Sequence, residues 1–222
     1  MLRRRPLSRA LLLALLPAAA LAAPVTYELD PAKTELLAFT QPSGLFKGAS
    51  HSHLLEARQV TGKLVYDAEK VGASSVTVSF PVDALVNDDP AMRKREAMTS
   101  MLNEADRKSV AASLRGESQL NQKHWPQISF DSTAVTSLGE GKLEVTGRFG
   151  VRGAKKELKL PVTFSVKDGV FTGEGSVTFT HRDIGMAPFV AVLGTVRNAE
   201  EIRLKVKLVG KAKAAAPPEA AR

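Results

Sequence analysis

The chain has 222 residues, no cysteine and a formal charge of +8. The missing thiols exclude disulfides, thiolate zinc sites, iron–sulfur clusters and cysteine nucleophiles. Much of the basicity sits at one end: Arg3, Arg4, Arg5 and Arg9 precede the apolar stretch Leu11 to Leu16 and the alanine-rich ending Ala20-Leu21-Ala22-Ala23. A basic start, a short apolar run and small residues at the end are the marks of a secretory signal peptide, so residues 1–22 are expected to be removed near Ala22 or Ala23 on export to the periplasm. Losing those four arginines halves the formal charge. What remains is ordinary solubility, not the footprint of a nucleic-acid binder.

From Val25 onward the pattern is that of strands. Val25, Tyr27 and Leu29 alternate, as do Leu37 and Phe39, then Val60, Leu64 and Tyr66, then Val76, Val78 and Phe80. Period two marks a strand with one buried face. Residues 88–115 break it, being rich in Ala, Met, Glu, Lys and Arg, all helix formers. Asp89 followed by Pro90 predicts a capped helix start; Asn103 predicts a second start, running to Arg115 and stopped by Gly116. Met92, Met98 and Met101 give this insertion an adaptable apolar face suited to packing or to a lid over an apolar cavity.

Strands resume at Ile128-Phe130, Leu143 to Phe149, Leu158 to Val166, Phe171 to Phe179 and Ile202 to Leu208. Pro161 lacks an N–H and is expected at an edge, a bulge or a break in the ladder. Gly139-Glu140-Gly141, Gly150 to Gly153 and Asp168-Gly169 read as turns, the last as the strongest hairpin signal. Eight or nine strands with one helical insertion predict a mainly β protein, an antiparallel barrel or strongly curled sheet, with a flat sandwich as the alternative. The domain is expected over 23–210, and Lys211 to Arg222 as a disordered alanine-proline tail.

Chemistry-bearing patterns are sparse. There is no G-x-S-x-G, H-E-x-x-H, Walker A or EF-hand loop. No enzyme is expected. His51 and His53, two apart on a strand, could present two imidazoles to one metal with His181 as a third ligand. A hydrolase built on Ser50 or Ser52 with the same histidines fits poorly, since neighbours on a strand do not converge. His181-Arg182-Asp183 reads as an ion-paired core or rim, or a ligand head-group site. The sole tryptophan, Trp125, is expected to plug the core. Arg93-Lys94-Arg95, Lys155-Lys156 and Lys205-x-Lys207 read as solvated faces, with transient contact to anionic lipid as the alternative.

The segments Trp125 to Thr133, Gly147 to Gly153 with Leu158 to Val162, Arg182 to Met186 and the opening Tyr27-Glu28-Leu29-Asp30-Pro31 together resemble the YceI-like family over about residues 25–210. The resemblance departs at Phe149, Gly150, Ala154 and Lys155, where the family favours an aliphatic residue and a threonine. It implies a lipocalin-like, eight-stranded antiparallel β-barrel with a helical excursion. It also implies a non-catalytic periplasmic carrier with a long isoprenoid or other lipid chain inside, and no other cofactor. Phe39, Leu64, Phe80, Phe130, Phe164 and Phe179 are the expected barrel-wall residues. A metal-binding protein using His51 and His53, and a structural or stress-protective envelope protein with a filled barrel, are the other readings. The expected partner is an apolar small molecule or lipid; oligomeric state is left open, a homodimer being compatible.

Overall fold

The structure is a computed structural model and describes residues 23–44, 51–191 and 196–213. The proposed signal peptide, Ser50 and the tail beyond Lys213 lie outside those residues. In chain order the elements are β1 (Val25–Leu29), β2 (Glu35–Ser43), β3 (His53–Ala57), β4 (Thr61–Tyr66), β5 (Ser75–Pro81) and β6 (Leu85–Asn87). Helices α1 (Pro90–Arg95) and α2 (Glu104–Arg115) follow, then β7 (Gln127–Gly139), β8 (Lys142–Val151), β9 (Ala154–Lys167), β10 (Val170–Thr180), β11 (Val190–Ala191) and β12 (Val196–Ala212). Among the described residues no helix is long and apolar enough to cross a membrane.

Eight strands close a ring in the order β1-β4-β5-β7-β8-β9-β10-β12, and β12 returns to β1 through Tyr27 opposite Ala212 and Leu29 opposite Gly210. All the pairings are antiparallel. The ring closes because β12 is long: its C-terminal end pairs with β1, and the stretch before it pairs with β2, Arg203 opposite Phe39 and Val206 opposite Leu36. From β2 the sheet extends outward through β3 to β6. The mainly β barrel with a helical insertion is therefore the observed architecture, with twelve strands in place of eight or nine because β6 and β11 are too short to show a period and β3 is apolar on both faces at Leu54 and Leu55. Lys211 and Ala212 belong to the closing strand, so the tail begins later than the composition suggested.

Local chemistry explains the boundaries. Asp89 caps α1 by accepting from the Ala91 and Met92 amides at 3.0 Å, and Asn103 caps α2 by accepting from the Asp106 amide at 2.8 Å. Gly116 ends α2. At the β9–β10 hairpin Asp168 and Gly169 both take positive φ, 50° and 71°, which is what a two-residue turn of this hand requires. Pro161 falls where the β9–β10 ladder stops, one residue past the last pair, Val162 opposite Gly175. Beyond it β9 pairs with β8 alone and β10 with β12 alone. The short helical turn Arg182–Ile184 fills the resulting gap, and Lys156 Nζ on β9 meets Asp183 Oδ1 at 2.8 Å across it.

The core is the barrel interior. Val76, Val78, Leu143, Val145, Leu158 and Leu160 are buried in one continuous cluster with Phe171, Phe179, Ile202 and Val206. A second, small cluster lies on the opposite face of β2, where Leu37, Phe39 and Leu54 pack under Met92 and Met98.

Candidate functional site

The barrel does not fill itself. It encloses a cavity of about 440 Å³, within the roughly 300–1,000 Å³ typical of small-molecule sites. Leu64, Phe80, Phe130 and Phe179, four of the six expected wall residues, line it. The space exists partly because Gly173 and Gly175 face inward on β10 between Phe171 and Val177, where side chains would otherwise project.

Two of the six do not line it. Phe39 points the other way: Leu36, Ala38 and Thr40 on β2 face the cavity, and Phe39 faces α1 with Arg203 held 4.3 Å over its ring. Both faces of β2 are covered, so alternation could not say which was inside. Phe164 stacks on Phe171 with ring centroids 5.5 Å apart and meets Tyr66 edge-on at 5.2 Å. With Tyr27, 5.7 Å from Phe171, these rings form an aromatic floor near the β9–β10 hairpin. Burial and the neighbouring Tyr66 push the Tyr27 phenol above its usual range, so it stays un-ionised.

The opposite end is closed by helix. Ser109, Val110, Ser113 and Leu114 of α2 line the cavity, as do Ile184 and Met186. The lid is thus α2 and not the methionine segment: Met92 and Met98 pack against the outer face of β2, and Met101 is exposed. Arg115 ties α2 to the barrel, donating through Nη2 to the Leu85 carbonyl at 2.9 Å, and Asn87 Nδ2 donates to the Arg107 carbonyl at 3.0 Å. The floor and lid are joined by long strands: from Ile202, opposite Phe179, to Gly210, opposite Phe171, β12 covers about 26 Å at ~3.3 Å per residue.

The histidines are not brought together. His51 is exposed ahead of β3. His53 lines the cavity, its Nδ1 2.8 Å from Asp88 Oδ2. His181 is buried, with Nδ1 2.9 Å from the Glu200 carbonyl oxygen. Among the described residues no group of three or more metal-ligating side chains converges. Ser52 Oγ donates to Gln41 Oε1 at 2.7 Å and has no histidine partner. Asp183, by contrast, is the ion-paired rim residue anticipated from its sequence neighbourhood. The Lys156 ammonium, the Thr180 amide and the Thr180 hydroxyl hold its carboxyl at about 2.

Trp125 is not in the core. It is 44% exposed and its ring lies over the β8–β9 turn at Gly153, where it occupies the space a Cβ would need. Arg93, placed with Lys94 and Arg95 on a solvated face, is the largest fully buried side chain among the described residues. Its guanidinium donates to Asp88 Oδ1 at 2.5 Å, to the Ser52 carbonyl at 2.7 Å and to the Ser100 carbonyl at 2.6 Å. Asp88 also accepts from the Leu54 amide at 3.0 Å. Burial alone would push the Asp88 carboxyl up, but the His53 ring, the Leu54 amide and the Arg93 guanidinium together hold it below the ordinary carboxylate range. Nothing in the run Arg-Lys-Arg marks its first member as buried, and the sequence signal for this cluster is confined to the adjacent cap at Asp89.

A closed antiparallel barrel around an elongated, nearly all-apolar cavity defines a lipocalin-like barrel. The chain belongs to the YceI-like family, whose domain matches residues 27–209. No curated protein sequence matches the chain. Among solved structures it is similar to Burkholderia cenocepacia BcnA, with TM-score 0.60 and 18% identity over 82% of this chain and 98% of that one. It is also similar to a Campylobacter jejuni YCEI protein, with TM-score 0.53 and 13% identity over 72% and 84% of the two chains. A mutant of the latter, solved with a monobromobimane guest, matches at TM-score 0.54 and 13% identity over the same shares. Identities this low speak for the fold alone.

Proposed function

We propose that this protein is a periplasmic carrier that holds one long apolar molecule, an isoprenoid or other lipid chain, in the barrel interior without chemical conversion. The observation that carries this reading is the cavity: it is unfilled, apolar and elongated, closed by aromatic rings at one end and by α2 at the other. Removing apolar ligand surface from water there supplies about 25 cal/mol per Å². The leader-like residues 1–22 support placement in the periplasm, where an aqueous gap separates two membranes and a lipid needs a container to cross it. Catalysis has little support, because the polar groups on the lining are few and the pairing of nucleophile with base is absent among the described residues.

Native mass spectrometry of protein purified from its own periplasm tests the reading. An apolar adduct released by organic extraction is the expected result. A clean unliganded mass, with no uptake of a fluorescent lipid probe, would instead favour a structural envelope protein.

A further inference from the structure

At the lid end of the cavity, where Ser109, Ser113, Gln119, His181 and Asn198 also reach the lining, one strand pair sets two polar groups side by side. Thr40 on β2 lies directly opposite His53 on β3, and directly opposite residues of an antiparallel pair project from the same face. Both line the cavity. Thr40 is 7% exposed, and its Oγ1 is buried with no hydrogen-bond partner among the described residues. An orphaned buried hydroxyl costs free energy that a ligand group could recover.

His53 is aimed, not merely present. Asp88 is ionised and can only accept, so the 2.8 Å contact requires Nδ1 of His53 to carry the proton. With Nδ1 engaged by Asp88, Nε2 points away from the carboxylate, and in the neutral form of the ring it is a lone-pair acceptor. Asp88 is fixed in turn by Arg93 and the Leu54 amide, and it holds a left-handed backbone, φ 52°, that a non-glycine residue adopts at a cost. A carboxylate and a fully buried arginine behind the wall thus fix the imidazole at one edge of the cavity.

From this geometry we infer that Thr40 and His53 form a head-group subsite for a chain that ends in a single protic group, a hydroxyl or an un-ionised carboxyl. Such a group donates to His53 Nε2 and accepts from the Thr40 hydroxyl, matching both partners at one point. Asp88 and Arg93 balance in charge, so a neutral head brings no unpaired charge into the apolar cavity. The apolar remainder of the chain runs toward the aromatic floor. This assignment rests on the carrier reading above and adds polarity and direction to it. Asp88 and Arg93 are positioning residues.

The test compares hexadecan-1-ol, its methyl ether and hexadecane, each delivered from cyclodextrin to delipidated protein and measured by displacement of a fluorescent apolar probe. The alcohol is expected to bind about three- to tenfold more tightly than the ether, the range of one neutral hydrogen bond. His53→Phe removes the Nε2 acceptor and should bring the alcohol down toward the ether; Thr40→Val keeps the side-chain shape, removes the hydroxyl and should lower alcohol and ether alike relative to hexadecane, since the ether oxygen also accepts from Thr40. Equal binding of alcohol and ether by the native protein overturns the subsite alone. So does a preference retained in His53→Phe, which would move the head group to His181 on the same rim. Failure of all three probes to bind overturns the carrier reading and the subsite with it.

Discussion

Arg93 Nη1 lies 2.5 Å from Asp88 Oδ1, and solvent reaches neither side chain. The pair clamps three separate pieces of chain: the start of β3 through the Ser52 carbonyl, the β6–α1 junction through Asp88, and the connection between the helices through Ser100. Removing one member leaves the other charge buried and alone. Arg93→Ala is therefore expected to cost about 3–5 kcal/mol of unfolding free energy. Arg93→Lys should recover only part of that, because a single ammonium cannot replace a fork that reaches Ser52, Asp88 and Ser100 at once. Urea denaturation of the three proteins checks this; an Arg93→Ala loss under about 1 kcal/mol would contradict it.

Gly153 and Trp125 define a second, independent constraint. Gly153 has φ 74°, and an added Cβ would come 2.6 Å from Trp125 Cη2. Gly153→Ala should lower stability by about 1–3 kcal/mol through combined backbone strain and clash. In the Gly153→Ala, Trp125→Ala double variant the clash is gone and the strain stays. A double-mutant cycle is expected to show positive coupling, and additivity within about 0.3–0.5 kcal/mol would refute the contact.

Asp183 gives the molecule a specific acid response. Its carboxyl is held at about 2, below the ordinary 3.8, chiefly by the Lys156 ammonium. A depressed carboxyl stabilises the fold fully above its unfolded pKa and loses that contribution as pH falls through the folded value, here between about pH 4 and pH 2. Asp183→Asn should flatten the melting temperature against pH in that window and lower it at neutral pH. Because the pair is partly exposed, added salt should reduce the difference between the two proteins. An identical acid profile in native and variant protein would show that Asp183 is not the source.

Ala38 faces the cavity from β2, on the wall between Leu36 and Thr40. Ala38→Trp places an indole in empty space, so the overpacking cost of ~1–3 kcal/mol should fall at its lower end. Uptake of apolar probes is expected to drop by at least tenfold while the circular dichroism spectrum stays unchanged. Undiminished uptake would locate the bound molecule outside the barrel.

Much of the fold was legible because its determinants are local. The alternation in Leu158 to Leu160 and in Ile202 to Leu208 names strands, since only a period of two puts every apolar side chain on one face. Asp89, Pro90, Asn103 and Gly116 mark both helices, since caps answer backbone groups within one turn. β6 and β11 escaped notice because three and two residues carry no period, and β3 because Leu54 and Leu55 face apolar surroundings on opposite sides and break the alternation.

The candidate site was legible only in part. Phe80, Phe130 and Phe179 were expected on the wall and are there. Phe39 has the same alternation and faces the other way, because α1 covers the outer side of β2 and makes both faces apolar. Trp125 has the composition of a core residue and lies on a turn, held there by the bare Gly153 beneath it.

Composition and near-neighbour spacing are enough to read a mainly β chain, interrupted once by helix, free of thiol chemistry and poor in catalytic signatures. That the barrel is hollow, that α2 is its lid, that Arg93 is buried and that Thr40 and His53 share a face emerge from the folded chain alone. Those facts depend on which distant residues meet: Thr40 with His53 over thirteen positions, Arg93 with Ser52 over forty-one, Tyr27 with Ala212 over nearly the whole described chain. Pairing over such separations is set by strand register and closure, and no local pattern carries it.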